Sequence, residues 1–318
     1  MTQKNQHNLA YGQKVLPKGF KEDLYKYKNS LVKVFTGHQD EFRKTIWKML
    51  NALDIIDMKV IEGNIVRLKY PGKPVFIAHM DTVSTTTMKE KLSVKSHILH
   101  RNGHVLGADD RAGCWLIYQN AKDINFILCR DEEIGGVGSE MLAENGVFKD
   151  LLEDFQIPCG IVLDRRGTCD IIGVHNNYCE ADLVRDVQKV LPTYVETFGT
   201  FCDADQLNGL LPCVNLSVGY ENAHTQGEYL DPIHLFSLSD EIQNLNDELA
   251  YNFYDKPMVR NIRWYEDTCD LCGQVGVLYE TSVGSFCNAC VRDLQDEFAD
   301  VILDESLTAQ WEDEEDDF

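Results

Sequence analysis

Short apolar segments alternate with amphipathic stretches along most of the chain. Four near-continuous apolar segments have strand length: KPVFIAHM (residues 73–80), INFILC (124–129), CGIVL (159–163) and PCVNLSVG (212–219). Such segments are typical of strands that are buried on both faces of a parallel sheet. ADDRAGCWLIYQNA (108–121) lies between two of them and opens like a helix on acidic residues. The alternation predicts an α/β fold, with a mainly parallel or mixed central sheet and helices on both faces.

Other elements are predicted from spacing and from turn residues. Residues 1–30 are polar and contain several lysines, which favours an N-terminal arm. Residues 40–53 have apolar side chains at helical spacing, and residues 59–70 form a predicted hairpin that turns at residues 63–64. Residues 237–253 predict a closing helix that begins with a serine cap.

The composition changes at about residue 256, which predicts a second domain. We expect a large domain over residues 1–255, a small module over residues 256–310 and an acidic tail over residues 311–318. The tail contains EDEEDD and has too little apolar surface to fold, so we expect it to be disordered.

Charge and cysteine usage narrow the class of protein. The formal net charge is −22, which makes nucleic acid an unlikely partner because phosphate binding needs clustered Lys and Arg. The sequence has no apolar run of about 18 residues and no secretory signal, so we expect no membrane span and no export. Eleven cysteines, an odd number that includes two CxxC pairs, favour a reducing, cytoplasmic location.

The apolar segments lead into side chains that can bind metal ions. His79 and Asp81 end the first segment, Glu132 and Glu133 follow the second, and Asp164 follows the third. The carboxyl ends of parallel strands meet at one edge of a sheet, so these groups can converge. Each has a simpler explanation on its own, such as a solvated loop, and the joint pattern is what favours a site.

Two further groups extend this pattern. His224 lies in the loop beyond the fourth segment, and Asp109 and Asp110 stand at a turn before the predicted helix. Taken alone, His224 fits an ordinary surface histidine and Asp109 fits a helix cap.

Five motifs together resemble the dinuclear zinc peptidase clan of tripeptidases, glutamate carboxypeptidases and aminopeptidases. The resemblance covers roughly residues 30–255 and follows the order of the chain. The motifs are HMD (79–81), GADDRAG (107–113), DEEIG (131–135), the aspartate of VLDRRG (162–167) and NAHTQGEY (222–229).

The resemblance implies a role for each matching residue. One Zn²⁺ would be held by His79 and Asp164, a second by Glu133 and His224, and Asp109 would bridge both. Imidazole and carboxylate are ligands that suit Zn²⁺.

Two catalytic residues complete the implied site. Asp81 would orient the imidazole of His79, and Glu132 would be the general base that takes a proton from water. The resemblance also implies a cis peptide bond between Asp109 and Asp110.

The sequence departs from many members of the clan in one respect. The intervals between His79 and Asp109 and between Asp164 and His224 are too short for an inserted lid or dimerisation domain. We therefore expect a single, lidless domain that is closest to the simple aminopeptidases.

Such a domain needs a local oxyanion donor. The candidates are Arg165, Arg166, His175 and Tyr229, and Asp203 and Asp205 are weaker candidates for contact with a substrate amine.

The C-terminal module contains CDLC (269–272) and CNAC (287–290). Cys269, Cys272, Cys287 and Cys290 have the spacing of a closed tetrahedral zinc site. VGVLYETSVGSF, between the pairs, predicts a hairpin, so a zinc ribbon or treble clef is expected. Four buried thiols are the alternative. The acidic residues that flank the module favour either a contact with a protein partner, through the module or the acidic tail, or a purely structural role.

These observations favour a hydrolase that cleaves an amide bond of a short peptide, as an aminopeptidase or tripeptidase does, with two catalytic zinc ions and one structural zinc ion. A deacylase or deacetylase of N-acyl amino acids would use the same site. A non-catalytic adaptor that retains the fold is the alternative from a different class.

Overall fold

The computed structural model describes residues 19–37, 39–83, 92–95, 97–256, 278–281 and 284–287. The chain divides into two compact units, Met1–Met258 and Val259–Phe318. The described helices, all in the first unit, are α1 (Phe20–Val34), α2 (Gln39–Asn51), α3 (Ala108–Asn120), α4 (Val137–Glu144), α5 (Gly146–Asp154), α6 (Ala181–Val190), α7 (Asp203–Leu207) and α8 (Pro232–Glu248).

The described strands form a large sheet, a small sheet and a separate hairpin. They are β1 (Lys59–Ile61), β2 (Asn64–Arg67), β3 (Val75–His79), β4 (Leu92–Lys95), β5 (Ile98–Arg101), β6 (Asn125–Cys129), β7 (Gly160–Arg165), β8 (Asp170–Ile172), β9 (Val195–Glu196), β10 (Cys213–Ser217), β11 (Tyr220–Glu221), β12 (Tyr229–Leu230), β13 (Leu278–Thr281) and β14 (Gly284–Cys287).

The central sheet has eight strands in the order β1-β2-β6-β3-β7-β10-β8-β9. The four inner strands, β6, β3, β7 and β10, are parallel, whereas β2 and β8 join this group in antiparallel orientation. The predicted mixed α/β sheet is confirmed. All residues of β3 and β6 are buried, which accounts for their continuous apolar sequences. The parallel register places His79 opposite Cys129, so β3 and β6 end at the same edge.

Helices cover both faces of this sheet, and each face has its own hydrophobic core. On one face the core contains side chains of α1, α2, α3, α6 and α8. On the other face it contains side chains of α4, α5 and α7. The predicted hairpin of β1 and β2 is confirmed, with Ile61 paired to Asn64 across the turn.

The predicted N-terminal arm is wrong over residues 20–30, while residues 1–18 lie outside the described residues, and the cap of the closing helix was also predicted wrongly. Residues 20–30 belong to α1, because Phe20, Leu31 and Val34 lie on one face of the helix and are buried in the core. The closing helix α8 begins at Pro232, where the Asp231 carboxylate accepts a hydrogen bond from the Ile233 amide (2.9 Å). Aspartate followed by proline is a strong helix start, and it precedes the serine.

A smaller antiparallel sheet, in the order β11-β12-β5-β4, lies in the same unit. Between β3 and α3, the described residues contain β4 and β5 as their regular elements and no inserted domain. Within the described ranges, no helix has the length and apolar character needed to cross a membrane.

In the second unit, β13 and β14 pair antiparallel, with Leu278 opposite Cys287. The predicted hairpin between the CxxC pairs is therefore present. Cys269, Cys272 and Cys290 lie outside the described residues, so the zinc site stays a prediction.

Candidate metal centre

The site lies at the edge where the parallel strands end. His79 is the last residue of β3, Asp164 is near the end of β7, and Glu132 and Glu133 follow β6. His224 lies in the loop between β11 and β12. This loop and the start of α3 complete the ring of side chains.

Asp109 is the centre of the cluster. Its Oδ1 lies 3.1 Å from His79 Nε2, and its Oδ2 lies 3.2 Å from His224 Nε2. His79 Nε2 is also 3.8 Å from Asp164 Oδ1, and His224 Nε2 is 3.0 Å from Glu133 Oε2. Each oxygen of Asp109 therefore faces a different imidazole, and each imidazole has a second carboxylate beside it.

The backbone around Asp109 is irregular. Asp109 and Asp110 have non-helical backbone angles at the start of α3, and the peptide bond between them is cis, as predicted. The Asp110 carboxylate accepts hydrogen bonds from the His79 amide (3.2 Å) and the Gly113 amide (2.9 Å). These bonds join α3 to β3, so Asp110 fixes the backbone that presents His79.

Asp81 connects β3 to the loop after β6. Its two oxygens accept hydrogen bonds from the amides of Glu132 (3.1 Å) and Glu133 (3.0 Å). Its Oδ1 also lies 3.3 Å from His79 Nδ1. One carboxylate therefore orients the imidazole and holds the two glutamates in the cleft.

Glu132 lies within the same cleft. Its Oε2 is 3.8 Å from His79 Nε2, and the residue is only 8% exposed. Burial is the largest influence on Glu132 and raises the pKa of its carboxyl to about 8, against the opposing effect of His79. A carboxyl whose pKa lies near neutral pH can both accept and give up a proton, which suits general acid and base chemistry.

The other side chains have shifted pKa values because several charges share a buried space. Burial acts to raise the pKa of Asp109, but hydrogen bonds from His224 and His79 hold it well below its usual value. The hydrogen bonds that His224 donates to the carboxylates of Asp109 and Glu133 raise the pKa of its imidazole to about 10. Burial, followed by the charge of Asp109, raises the pKa of Asp164 well above its usual value.

The donor set fits divalent metal ions. The ligand atoms of His79, Asp109 and Glu133 all lie within 4.8 Å of one another, as do those of His79, Asp110 and Asp164. The Asp110 carboxylate accepts two backbone hydrogen bonds, whereas each oxygen of the Asp109 carboxylate faces an imidazole.

The charge balance of the cleft supports the same conclusion. Among the described residues, the cationic partners within 4.0 Å of these acids are His79 and His224. Glu133 Oε1 is buried without a hydrogen-bond partner in the described part of the chain. Buried carboxylates are costly unless they are paired or coordinate a metal, so this cleft is suited to cations.

Two neighbours of the cluster were not predicted from the sequence. The Glu228 carboxylate accepts hydrogen bonds from three successive amides at residues 107–109. The Tyr220 hydroxyl donates to Asp164 Oδ1 (3.1 Å). Both lie in the strands and loop that carry His224. The sequence signal for Glu228 was weak, because one acid four residues after His224 looks like any loop glutamate.

Two candidates for the oxyanion donor, Arg165 and His175, have other contacts, and the two weaker candidates for contact with a substrate amine are buried or hydrogen-bonded. Arg165 pairs with Asp170 (3.0 Å), and the ring of His175 stacks on Phe198. Asp203 is buried at 1% exposure, and Asp205 accepts a hydrogen bond from the Tyr178 hydroxyl. Neither Asp203 nor Asp205 presents a free carboxylate to the cleft surface.

Apolar side chains are exposed beside the cleft. Ile134, which follows Glu133, is 73% exposed. Phe201 is 41% exposed and lies against Gly136, where an added Cβ would be 2.7 Å from its ring. These side chains give the rim near Glu132 an apolar character.

Comparisons with known proteins agree on the fold. No protein-family model and no curated protein matches the sequence. Aminopeptidase PepT from Bacillus cereus superposes with a TM-score of 0.57 at 17% identity, over 72% of this chain and 98% of that chain. A tripeptidase from Staphylococcus aureus gives 0.56 at 17% identity, over 73% and 99%. The TET1 peptidase of Pyrococcus horikoshii gives 0.52 at 16% identity, over 71% and 99%.

The first unit therefore has the α/β fold of these aminopeptidase and peptidase structures. At the edge where their common sheet ends, this chain has a cluster of histidine and acidic side chains that can hold metal ions. At such low identity the likeness defines the fold, and the chemistry depends on the side chains of this chain.

Proposed function

We propose that the protein is a metal-dependent hydrolase that cleaves an amide bond of a short peptide, in the manner of an aminopeptidase or tripeptidase. The observation that carries this proposal is the position of Asp109 between the imidazoles of His79 and His224. Two histidines on opposite oxygens of one carboxylate form a suitable frame for two metal ions. The names of the structural neighbours support the peptidase class.

In this proposal His79 and Asp164 would hold one Zn²⁺, Glu133 and His224 would hold the other, and Asp109 would serve both. When bound, such a pair of ions would polarise the substrate carbonyl and lower the pKa of a water molecule toward about 7. Asp81 keeps the His79 imidazole in place through its contact with Nδ1.

Glu132 moves the proton. Its carboxylate takes a proton from the attacking water as the water oxygen forms a bond to the carbonyl carbon. The protonated carboxyl then delivers this proton to the amide nitrogen as the carbon–nitrogen bond breaks, which releases an amine. Glu132 returns to its starting state, so protons balance over the cycle.

A substrate panel tests this function. Metal-loaded protein is assayed against dipeptides and tripeptides, against the same peptides with a blocked N-terminus, and against N-acyl amino acids. We expect turnover of free peptides that stops with a chelator and returns with Zn²⁺. Turnover of N-acyl amino acids alone would assign the deacylase alternative. Absence of turnover on every class would contradict both and favour an adaptor.

We further propose that Cys269, Cys272, Cys287 and Cys290 hold a third, structural zinc ion. The hairpin of β13 and β14 between the pairs is consistent with a zinc ribbon or treble clef. The expected partner of this module or of the acidic tail is a protein, because the formal net charge of −22 disfavours nucleic acid. We also propose a cytoplasmic location, because the cysteine usage favours a reducing environment.

A further inference from the structure

Glu228 forms a link between the loop that carries His224 and the segment that carries Asp109. The residue is 1% exposed and directly precedes β12. Its Oε2 accepts a hydrogen bond from the Gly107 amide (2.7 Å). Its Oε1 accepts hydrogen bonds from the amides of Ala108 (2.8 Å) and Asp109 (3.2 Å). About 120 residues of sequence separate the two ends of this link.

The loop that carries His224 needs contacts from other parts of the fold to hold its position. His224 is 47% exposed and has a positive φ of 67°, so its placement is not fixed by burial or by a preferred backbone conformation. The hydrogen bonds from the Thr225 hydroxyl to Asn222 O (2.8 Å) and from the Gly227 amide to the Thr225 hydroxyl (3.1 Å) are internal to the loop. They shape the loop but do not set its distance from α3.

The charge of Glu228 suits this link. Gly107 has a left-handed backbone conformation before α3 and offers no side-chain cap. The carboxylate of Glu228 takes the place of that cap, because a negative charge is favoured where amides point out of the start of a helix. The same three bonds fix the backbone of Asp109, whose Oδ2 lies 3.2 Å from His224 Nε2.

We infer that Glu228 is a positioning residue that sets the distance between His224 and Asp109, and so controls binding at the metal position formed by Glu133, His224 and Asp109. This inference rests on the proposed function. If Glu228 were only a helix cap, its loss would destabilise the fold and would affect metal affinity at both positions equally. A positioning residue affects mainly the position that includes His224, because the position at His79 and Asp164 shares only Asp109 with it.

The test is a Co²⁺ titration of metal-free full-length protein, wild type against Glu228→Gln. Co²⁺ bound by thiolates has its own absorption band, which separates the cysteine module from the imidazole and carboxylate positions. Glu228→Gln keeps the size of the side chain, but its amide group must place an N–H toward one of the backbone N–H donors. Glu221→Gln is the matched control, because Glu221 lies in β11 of the same hairpin and has no bond to α3 among the described residues.

We expect Glu228→Gln to bind one of the two non-thiolate Co²⁺ ions about 10 to 100 times more weakly, the size of effect seen when a partner of a metal ligand is removed. The other ion should be weakened much less, and the Tm of the metal-free protein should fall modestly, because one buried hydrogen bond is lost. In the His224→Ala background, Glu228→Gln should have no further effect on Co²⁺ binding. Glu228→Asp keeps the charge and should lie between wild type and Glu228→Gln.

Several results would overturn the inference. Three results would assign Glu228 a purely structural role or none. They are wild-type affinity for both ions in Glu228→Gln, equal weakening of both ions, and loss of folded protein in both Glu228 variants. In those cases a wild-type protein that binds two non-thiolate ions still supports the proposed function. A wild type that binds no such ion would overturn the proposed function and the inference together.

Discussion

Asp109 has an imidazole on each side. Its backbone is held in this position by hydrogen bonds to the side chains of neighbouring acids. Asp110 bonds to the amides of His79 and Gly113, and Glu228 bonds to the amides of residues 107–109. Asp81 does the same for the glutamates after β6. The acids around the cleft therefore divide into those that face the cleft and those that hold the backbone.

Replacement of Glu132 separates proton transfer from metal binding. We expect Glu132→Gln to retain the metal content of wild type and to lose about 100-fold to 10,000-fold in kcat, because the amide cannot accept a proton from water. Metal analysis and steady-state kinetics on the same preparation measure both quantities. Glu140→Gln, an exposed residue of α4, is the control and should behave as wild type. Unchanged kcat in Glu132→Gln would show that another group is the base.

The residues that face the cleft could be predicted from the sequence, as could Asp81 beside His79, whereas Glu228 and Tyr220 could not. His79, Glu133 and Asp164 follow apolar strands, so their position in the sheet follows from the pattern. Glu228 and Tyr220 act through contacts with distant residues, and nothing in their local sequence indicates the partner.

Among the secondary-structure elements, helix α1 is an integral part of the hydrophobic core. Tyr27 packs against the rings of Trp115 and Phe236, and Leu31 is almost fully buried. The sequence pattern was missed because lysines occupy many of the remaining positions of the helix and lower its average hydropathy. The apolar stripe of α1 consists of Phe20, Leu24, Tyr27, Leu31 and Val34, which recur at helical spacing.

Truncation of Leu31 tests whether α1 belongs to the core. We expect Leu31→Ala to lower the free energy of unfolding by about 2–5 kcal/mol, because the change leaves a cavity in a packed interior. Urea unfolding measures this, with Lys33→Ala on the exposed side of the same helix as a control that shifts by less than about 0.5 kcal/mol. Equal, small effects in both variants would mean that α1 is a loosely attached arm.

The loop after β6 should influence which substrates are preferred. Ile134 is exposed beside Glu133, so an apolar side chain of the substrate can pack against it. We expect Ile134→Asp to lower the ratio of kcat/KM for Leu-Gly-Gly over that for Gly-Gly-Gly by about 10-fold or more, the scale of discrimination in apolar pockets. Val147 is another exposed apolar residue, in α5, and Val147→Asp should leave this ratio unchanged. An unaltered ratio in Ile134→Asp would remove Ile134 from the substrate contact.

The strands were easier to predict than the ends of the helices. Continuous apolar sequences fixed β3, β6 and β7 because burial on both faces leaves little choice of residue. The start of α8 was misplaced because the serines of this helix resemble caps, although Asp231 and Pro232 form a better one. The Asp-Pro pair is itself a sequence signal for a helix start, and it precedes the serines.

Metal binding should stabilise the whole first unit. His79, Asp109 and His224 come from three separate elements, so ions between them would join these elements in the folded state only. We expect Zn²⁺ at about 100 times its Kd to add about 2.7 kcal/mol per site to the free energy of unfolding, and a chelator to reverse this. Calorimetry with and without Zn²⁺ measures the change. In Asp109→Asn the shift should be much reduced, and a full shift in this variant would place the ions elsewhere.

We propose that Asp109 lies between two metal ions, and anomalous diffraction from crystals grown with Zn²⁺ can locate such ions. We expect two anomalous peaks in the first unit, one beside His79 and Asp164 and one beside Glu133 and His224, with Asp109 in contact with both. A map with no anomalous peak at either imidazole, from crystals in which the cysteine module does contain zinc, would contradict the claim.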